Sequence, residues 1–407
     1  MKKQLISDSF IYLFVTVIQS GAQFLMLPYL TRSLSIEDYA NAELFLTAYG
    51  FFNLIIIFGS NTNVYKDFST NKGLLSNSSA LYEYRVSIYR FLFLNSIFLL
   101  TACLILRFFA GEKYDYIVYA SVCSVLYSYY IIESCIYQIK KRSILILKLT
   151  IFFVFSNTLI TILLIEVNNL GFESRAAGYI LSSFVIFIFL LRRGRVKITD
   201  VFKLPNEYKP TILMLLPLFI SSVFSWVAES SDKIVISELL SLNEVAMYAV
   251  GYKFGMVILL LTVAYSRAWM PYVIENIDKK FTILKAVFFS VVLLMSLTIF
   301  YFIIVTFLYD IMVPEEYLES IVIVYIVGGA YAIDGISKLI NSVFLGKGKT
   351  STYVVINIIA GALNFILNII LIPIIGYIGA AYATLVAFIA SALISSFYYY
   401  KLYITSE

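Results

Sequence analysis

Twelve membrane-spanning helices, arranged as two six-helix halves, is the all-α architecture that this 407-residue sequence predicts. Three observations lead there. Hydrophobic residues make up 61% of the chain and charged ones 14%, with a mean hydropathy of +0.90, which is more apolar surface than a water-soluble core would use. Apolar runs of membrane length recur in windows of about 19 residues. Lys and Arg also alternate between the two sides of the resulting topology. With the amino terminus placed inside, 24 of the 30 fall on inner segments, and a count differing by one span in mid-chain would scramble that bias. Both termini are then expected in the cytoplasm.

The expected span cores are 9–30, 41–62, 87–109, 116–137, 146–167, 176–192, 211–231, 245–266, 285–309, 318–339, 352–373 and 378–400. Met1-Lys2-Lys3 leads into the first apolar run without a small-residue cleavage site, so that run reads as a span and not as a removed signal peptide. The span 176–192 is short, and 318–339 carries Asp334 and Lys338. Leu34-Ser35-Ile36-Glu37-Asp38-Tyr39-Ala40 and Leu240-Ser241-Leu242-Asn243-Glu244-Val245-Ala246 match at an offset of 206, each opening a span. This predicts a parallel pseudo-repeat: a lobe over 1–195, a basic cytoplasmic linker over 196–210 and a lobe over 211–407. Pro28 and Pro217 do not align at that offset, so the repeat does not reach them.

Composition excludes several chemistries. Histidine is absent, which removes the commonest proton shuttle and metal ligand. Cys103, Cys123 and Cys135 lie in apolar segments without CxxC spacing, so packing is expected and neither a metal site nor a disulfide framework is. The net charge of +5 is met by cytoplasmic loops facing anionic membrane lipids, with no nucleic-acid partner needed. Gly346-Lys347-Gly348-Lys349-Thr350-Ser351 lacks the first glycine of a phosphate loop, because Val343 stands there. No cofactor is expected, and energy would come from an ion, the membrane potential or the substrate gradient.

The segment from Asn364 to Thr384 stands out. It joins two apolar segments through Pro373 and Gly376, and it puts Asn364 and Asn368 one helical turn apart where lipid would penalise them. An unpartnered amide in hydrocarbon costs several kcal/mol, so both should face a neighbouring helix or a polar cavity. Gly376, Gly379, Ala380, Ala381 and Ala383 would let that neighbour approach closely.

The spacing N-x-x-x-N-x-x-x-x-P-x-x-G-x-x-G-A-A-x-A-T resembles the penultimate-helix signature of Wzx-type polysaccharide and O-antigen flippases of the multidrug/oligosaccharidyl-lipid/polysaccharide exporter superfamily. Leu27 to Ala40 resembles the end of the first flippase helix and its outer turn. Ser231-Asp232-Lys233 with Ala246-Met247-Tyr248-Ala249, and Ala268-Trp269-Met270-Pro271-Tyr272, resemble segments of the second half. The resemblance implies two lobes around a central cavity, working by alternating access without enzymatic chemistry. It implies an undecaprenyl-diphosphate-linked oligosaccharide as substrate, moved from the inner to the outer leaflet of the bacterial cytoplasmic membrane. Membrane lipids, and a polysaccharide polymerase with chain-length machinery, would be the partners; one chain holds both lobes, so a monomer suffices.

Such a cavity should be wet and electropositive. Lys253 lies 9 residues past Glu244, roughly 13 Å deep. A central lysine costs about 2.5–3.5 kcal/mol, so it should contact substrate phosphate or pair with an acid such as Glu43. Arg32, Lys66, Arg90, Arg267 and Lys338 lie near span ends, where substrate contact competes with snorkelling. Asn364 and Asn368 could serve sugar hydroxyls. Glu133, Asp334 and Glu43 are ion-coupling candidates, although Asp334 and Lys338 would also satisfy each other across one turn, and Glu133 lies near Gln138 and Lys140. Asp232 beside Lys233 reads as an interfacial pair. Tyr127, Tyr129 and Tyr130 could wall a sugar site or simply pack, and Tyr398, Tyr399 and Tyr400 read as an aromatic belt. Two other functions compete: a multidrug or cation exporter of the same superfamily, which should carry acids in its first lobe, and a membrane polymerase or ligase, which needs a large outer loop or a catalytic set.

Overall fold

The computed structural model describes residues 2–71, 74, 77–168, 170–194, 196–203, 208–277, 279–347 and 349–401. In lipid, backbone N–H and C=O groups must find partners within the segment, and among the described residues every regular element is helical. In chain order these are α1 (Lys2–Leu25), α2 (Leu27–Ser33), α3 (Ile36–Ile57), α4 (Ser60–Thr70), α5 (Ser78–Ala110), α6 (Asp115–Ile139), α7 (Ser143–Asn168) and α8 (Phe172–Gly194). There follow α9 (Ile198–Val201), α10 (Tyr208–Ser230), α11 (Asp232–Leu239), α12 (Leu242–Gly255), α13 (Val257–Glu275), α14 (Lys280–Met312), α15 (Ile321–Gly346), α16 (Thr350–Ile375) and α17 (Ile378–Tyr399). Short 3-10 helices, Glu112–Tyr114 and Glu315–Ser320, precede α6 and α15.

Among the described residues, eleven stretches are long and apolar enough to cross a membrane, and they coincide with the expected spans from the second to the twelfth. The first expected span, 9–30, falls on α1 and α2, where several side chains up to residue 13 lie outside the described residues.

Two matched segments of the sequence turn out to be helix starts. Ser35 caps α3, its hydroxyl accepting from the Asp38 N–H at 3.1 Å. Ser241 caps α12, where the Glu244 carboxylate accepts from the Ser241 N–H at 3.1 Å and from its hydroxyl. A serine followed three residues later by an acid satisfies orphan N–H groups of the first turn, which is why both halves use it.

Contacts divide the chain into two compact units, Met1–Gln23 with Ser33–Val223, and Phe24–Arg32 with Phe224–Glu407. In the first, α6 is central and packs on α3, α5 and α8, while α7 packs on α8. In the second, α15 is central and packs on α12, α13 and α17, while α16 packs on α17. Burial follows these roles. The spans containing α12 and α15 are 67% and 61% buried, whereas α14 is 17% buried, leaving most of its apolar surface for lipid.

Two interruptions place polar groups. The expected span 41–62 is broken at Phe58 and Gly59, both left-handed with φ of 49° and 77°. The Ile56 carbonyl beside the break accepts from the Asn95 amide at 2.8 Å, and Asn95 is buried to do so. Between α16 and α17, Gly376 at φ 67° makes the hinge, and a Cβ on Gly379 would lie 2.6 Å from the Leu371 carbonyl oxygen. Only glycine permits that approach.

Candidate functional site

Residues i and i+4 share a helix face, so Asn364 and Asn368 project together from α16. The hinge folds α17 back beside them and brings Thr384 to the same face. All three are fully buried, and all three lead to Asp232 at the start of α11, itself 1% exposed. The Asn368 amide donates to Asp232 Oδ1 at 2.8 Å and to Asn364 Oδ1 at 3.0 Å. Asn364 donates to the Thr384 hydroxyl at 3.1 Å, and Thr384 donates to Asp232 Oδ2 at 3.0 Å. The Tyr248 hydroxyl, from α12, donates to the same Oδ2.

One buried carboxylate thus holds α11, α12, α16 and α17 through three donors. Asn368 Oδ1 has no hydrogen-bond partner among the described residues. The set combines a carboxylate with amide and hydroxyl oxygens, hard donors suited to a proton or a small monovalent or divalent cation. A change in the charge of Asp232 would reverse which partners must donate, so the four helices meet at a junction sensitive to that charge.

Asp232 was expected at the interface, paired with Lys233. Successive helical residues point to different faces, and the bonds of Asp232 run to α12, α16 and α17. Asp232 turns inward, while Lys233 Nζ lies 5.5 Å over the Tyr252 ring. Asp334 and Lys338 form the expected pair across one turn at 2.7 Å. Lys338 also meets Glu229 Oε1 of α10 at 3.6 Å. Tyr252 links the two groups: its hydroxyl meets that of Tyr331 and donates to the Glu229 carbonyl. The charges of this unit are mixed: Asp232, Asp334 and Lys253 are buried, while Glu229 and Lys338 are partly exposed. Lys253 is 7% exposed, on the stretch of α12 from Tyr248 to Gly255 in which every residue is buried.

Arg32 is exposed and engaged with backbone. Its Nη2 donates to the Ile311 carbonyl at 2.8 Å and Nη1 to the Pro28 carbonyl at 3.1 Å. It caps the last turn of α14, where carbonyls lack helical partners. The side chain of Arg267 lies outside the described residues.

In the first unit, Glu133 is 1% exposed, and its partner is neither Gln138 nor Lys140. Arg85 of α5 grips it with Nε at 2.6 Å and Nη2 at 2.9 Å, and the Tyr89 hydroxyl adds a bond at 3.2 Å. Gln138 instead accepts from the Tyr65 hydroxyl at 2.7 Å. This bidentate pair leaves Glu133 little freedom to exchange an ion. Glu43, on α3, and Arg175, on α8, are each 2% exposed, with the Arg175 guanidinium 5.4 Å over the Tyr179 ring. Lys66 is exposed on α4. Arg90 is half-buried, and its Nε donates to the Asp200 carbonyl at 2.7 Å. The Tyr82 hydroxyl and the Lys203 ammonium bond the Asp200 carboxyl and hold it below the ordinary aspartate value. Tyr127, Tyr129 and Tyr130 pack against aromatic and hydroxyl neighbours: Tyr127 lies 4.9 Å from Phe153, and the Tyr130 hydroxyl 2.9 Å from that of Thr150. Tyr399 is buried against a cluster around Trp269, while Tyr400 is exposed.

Asp232 and Glu229 are the site residues that the sequence understated. Each is an acid at or within the seventh span, which was the available signal.

Residues 5–277 match the family described as polysaccharide biosynthesis protein. A protein of the Lsg locus of Haemophilus influenzae is 22% identical over 67% of this chain and 67% of its own length. An uncharacterized membrane protein of the same bacterium is 24% identical over 68% and 66%. Among solved structures, an inward-facing multidrug resistance transporter of the MATE family and MOP superfamily superposes with a TM-score of 0.74. It is 14% identical and covers 95% of this chain and 96% of its own. The lipid II flippase MurJ gives 0.66 at 18% identity, covering 97% and 86%. A MOP-superfamily transporter from Pyrococcus furiosus, whose binding pocket has reversed polarity, gives 0.66 at 14%, covering 98% and 94%. The chain has the fold these proteins share.

Proposed function

The chain belongs to the polysaccharide biosynthesis protein family, and from that premise we propose that it is a flippase for saccharides carried on undecaprenyl diphosphate. It moves them from the inner to the outer leaflet of a bacterial cytoplasmic membrane by alternating access, as a twelve-span transporter without enzymatic activity. The family match, reaching from the first helix into the second unit, carries this reading.

The Asp232 junction supports ion coupling as the driving step. A proton or small cation binding at Asp232 would loosen or tighten the junction of α11, α12, α16 and α17, converting an ion gradient into a change of helix packing. Asp232 replaces Glu133 and Asp334 in that role, since each of those is answered by its own cation. Lys253 is the proposed phosphate contact, reached when the bundle opens. A polymerase and chain-length machinery would receive the product on the outer side, and a monomer suffices.

A multidrug or cation exporter is the second reading, favoured by the buried acids Asp232 and Asp334 of the second unit. Deleting the gene in its host separates the two. Loss of surface polysaccharide with build-up of undecaprenyl-linked saccharide on the inner leaflet is the outcome expected. Normal polysaccharide with heightened sensitivity to cationic dyes would establish the exporter.

A further inference from the structure

Inside the first unit, between α4, α5 and α10, lies a cavity of about 440 Å³ that no residue role above accounts for. Its volume falls within the range of small-molecule sites, about 300–1,000 Å³. Asn63, Asp67, Tyr84, Arg90 and Phe91 line it. Two of these carry opposite charge, and each is held by one side of its polar group with the other side left over. The Asn63 amide and the Tyr84 hydroxyl both donate to Asp67 Oδ2 at 2.8 Å, and Oδ1 takes no bond from the described residues. Arg90 spends Nε on the Asp200 carbonyl, and its two terminal nitrogens have no acceptor among the described residues. Aromatic surface completes the wall: the Phe91 ring lies 5.4 Å from Tyr208, and Tyr84 stands edge-on to Phe68 at 5.3 Å.

This lining discriminates between ligand classes. A phosphate attracted by Arg90 would meet the Asp67 carboxylate, and an organic cation attracted by Asp67 would meet the guanidinium. A neutral polyol satisfies both, because every hydroxyl donates one bond to a carboxylate and accepts from a guanidinium. Flat apolar faces on the same ligand would lie against Phe91 and Tyr84. We propose that this cavity is the saccharide subsite, holding uncharged sugar rings of the lipid-linked substrate while its phosphates are held elsewhere. The assignment rests on the flippase reading.

Photocrosslinking of the full chain in membranes of its own host tests it without foreknowledge of the sugar. Met214 lines the cavity and is 50% exposed, so p-benzoylphenylalanine at that position keeps the interior intact. Leu213, the next residue, is 61% exposed and outside the cavity, and serves as the control. Irradiation should give a carbohydrate-bearing adduct from position 214 and none from 213. Ser87→Trp, which fills the cavity, should abolish the adduct and polysaccharide export with unchanged protein in the membrane, whereas Ser87→Ala should retain both. An adduct of phospholipid alone, equal adducts at 213 and 214, or an adduct undiminished by Ser87→Trp would overturn the subsite. Normal surface polysaccharide in the deletion strain would overturn the flippase reading itself; loss of polysaccharide there, with no adduct at 214, would overturn the cavity assignment alone.

Discussion

Thr384→Val is the sharpest perturbation of the Asp232 junction. Valine keeps the shape of threonine, so the contact between α16 and α17 retains its packing while the hydroxyl is lost. That hydroxyl has one proton and two acceptors in reach, Asp232 Oδ2 at 3.0 Å and the Ala380 carbonyl at 3.1 Å. The charged acceptor gives the stronger bond. Losing a hydrogen bond to a buried charge costs about 1.5–3 kcal/mol, and the Asn364 N–H left without its 3.1 Å acceptor adds about 1–3 kcal/mol. A net loss near 3 kcal/mol, at about 2–4 °C per kcal/mol, lowers the melting temperature of detergent-solubilised protein by about 6–12 °C. Thr384→Ser should stay within about 2 °C of wild type because it keeps the hydroxyl. Combining Thr384→Val with Asp232→Asn should cost less than the two single losses added together, by about 0.5–3 kcal/mol of coupling. An unshifted melting temperature for Thr384→Val, or strict additivity in the double variant, would refute the junction as drawn.

Arg85→Met should destabilise by about 3–5 kcal/mol, because Glu133 is left charged and buried; adding Glu133→Leu should recover most of it, read by the same thermal assay. Gly59→Ala should cost about 1–2 kcal/mol, since an L-residue at φ 77° is strained and the new Cβ would sit 3.1 Å from Leu218 Cβ. Arg32→Gln should cost less than about 1 kcal/mol and leave export intact, as expected for an exposed cap; loss of export at normal protein level would return Arg32 to the substrate path. Lys253→Ala should abolish polysaccharide export while the protein remains in the membrane, and export at the wild-type level would remove Lys253 from the phosphate site.

The second to twelfth spans were legible because hydrocarbon leaves helices as the only economical backbone, so apolar run length locates them. The break at Phe58–Gly59 was not, because a lone glycine such as Gly59 is tolerated inside an apolar helix, and the Asn95 that satisfies the Ile56 carbonyl lies on another helix. The amides Asn364 and Asn368 announced a polar contact by their cost in lipid. Their target lies 136 residues from Asn368, and spacing along the chain carries no information about it. Glu133 shows the same limit. Its neighbours in sequence suggested Gln138 and Lys140, whereas its partner is 48 residues away on α5. The pair Asp334–Lys338 was legible because helical geometry alone brings i and i+4 together.

Transbilayer movement in reconstituted vesicles tests the central claim most directly. A fluorescent undecaprenyl-diphosphate saccharide, loaded in the inner leaflet, is followed by the rate at which a membrane-impermeant reductant quenches it from outside. The account predicts that quenching accelerates when the protein is present and an ion gradient is imposed, and that Asp232→Asn abolishes the gradient's effect. Quenching no faster than in protein-free vesicles, with efflux of a cationic dye from the same preparation, would contradict it.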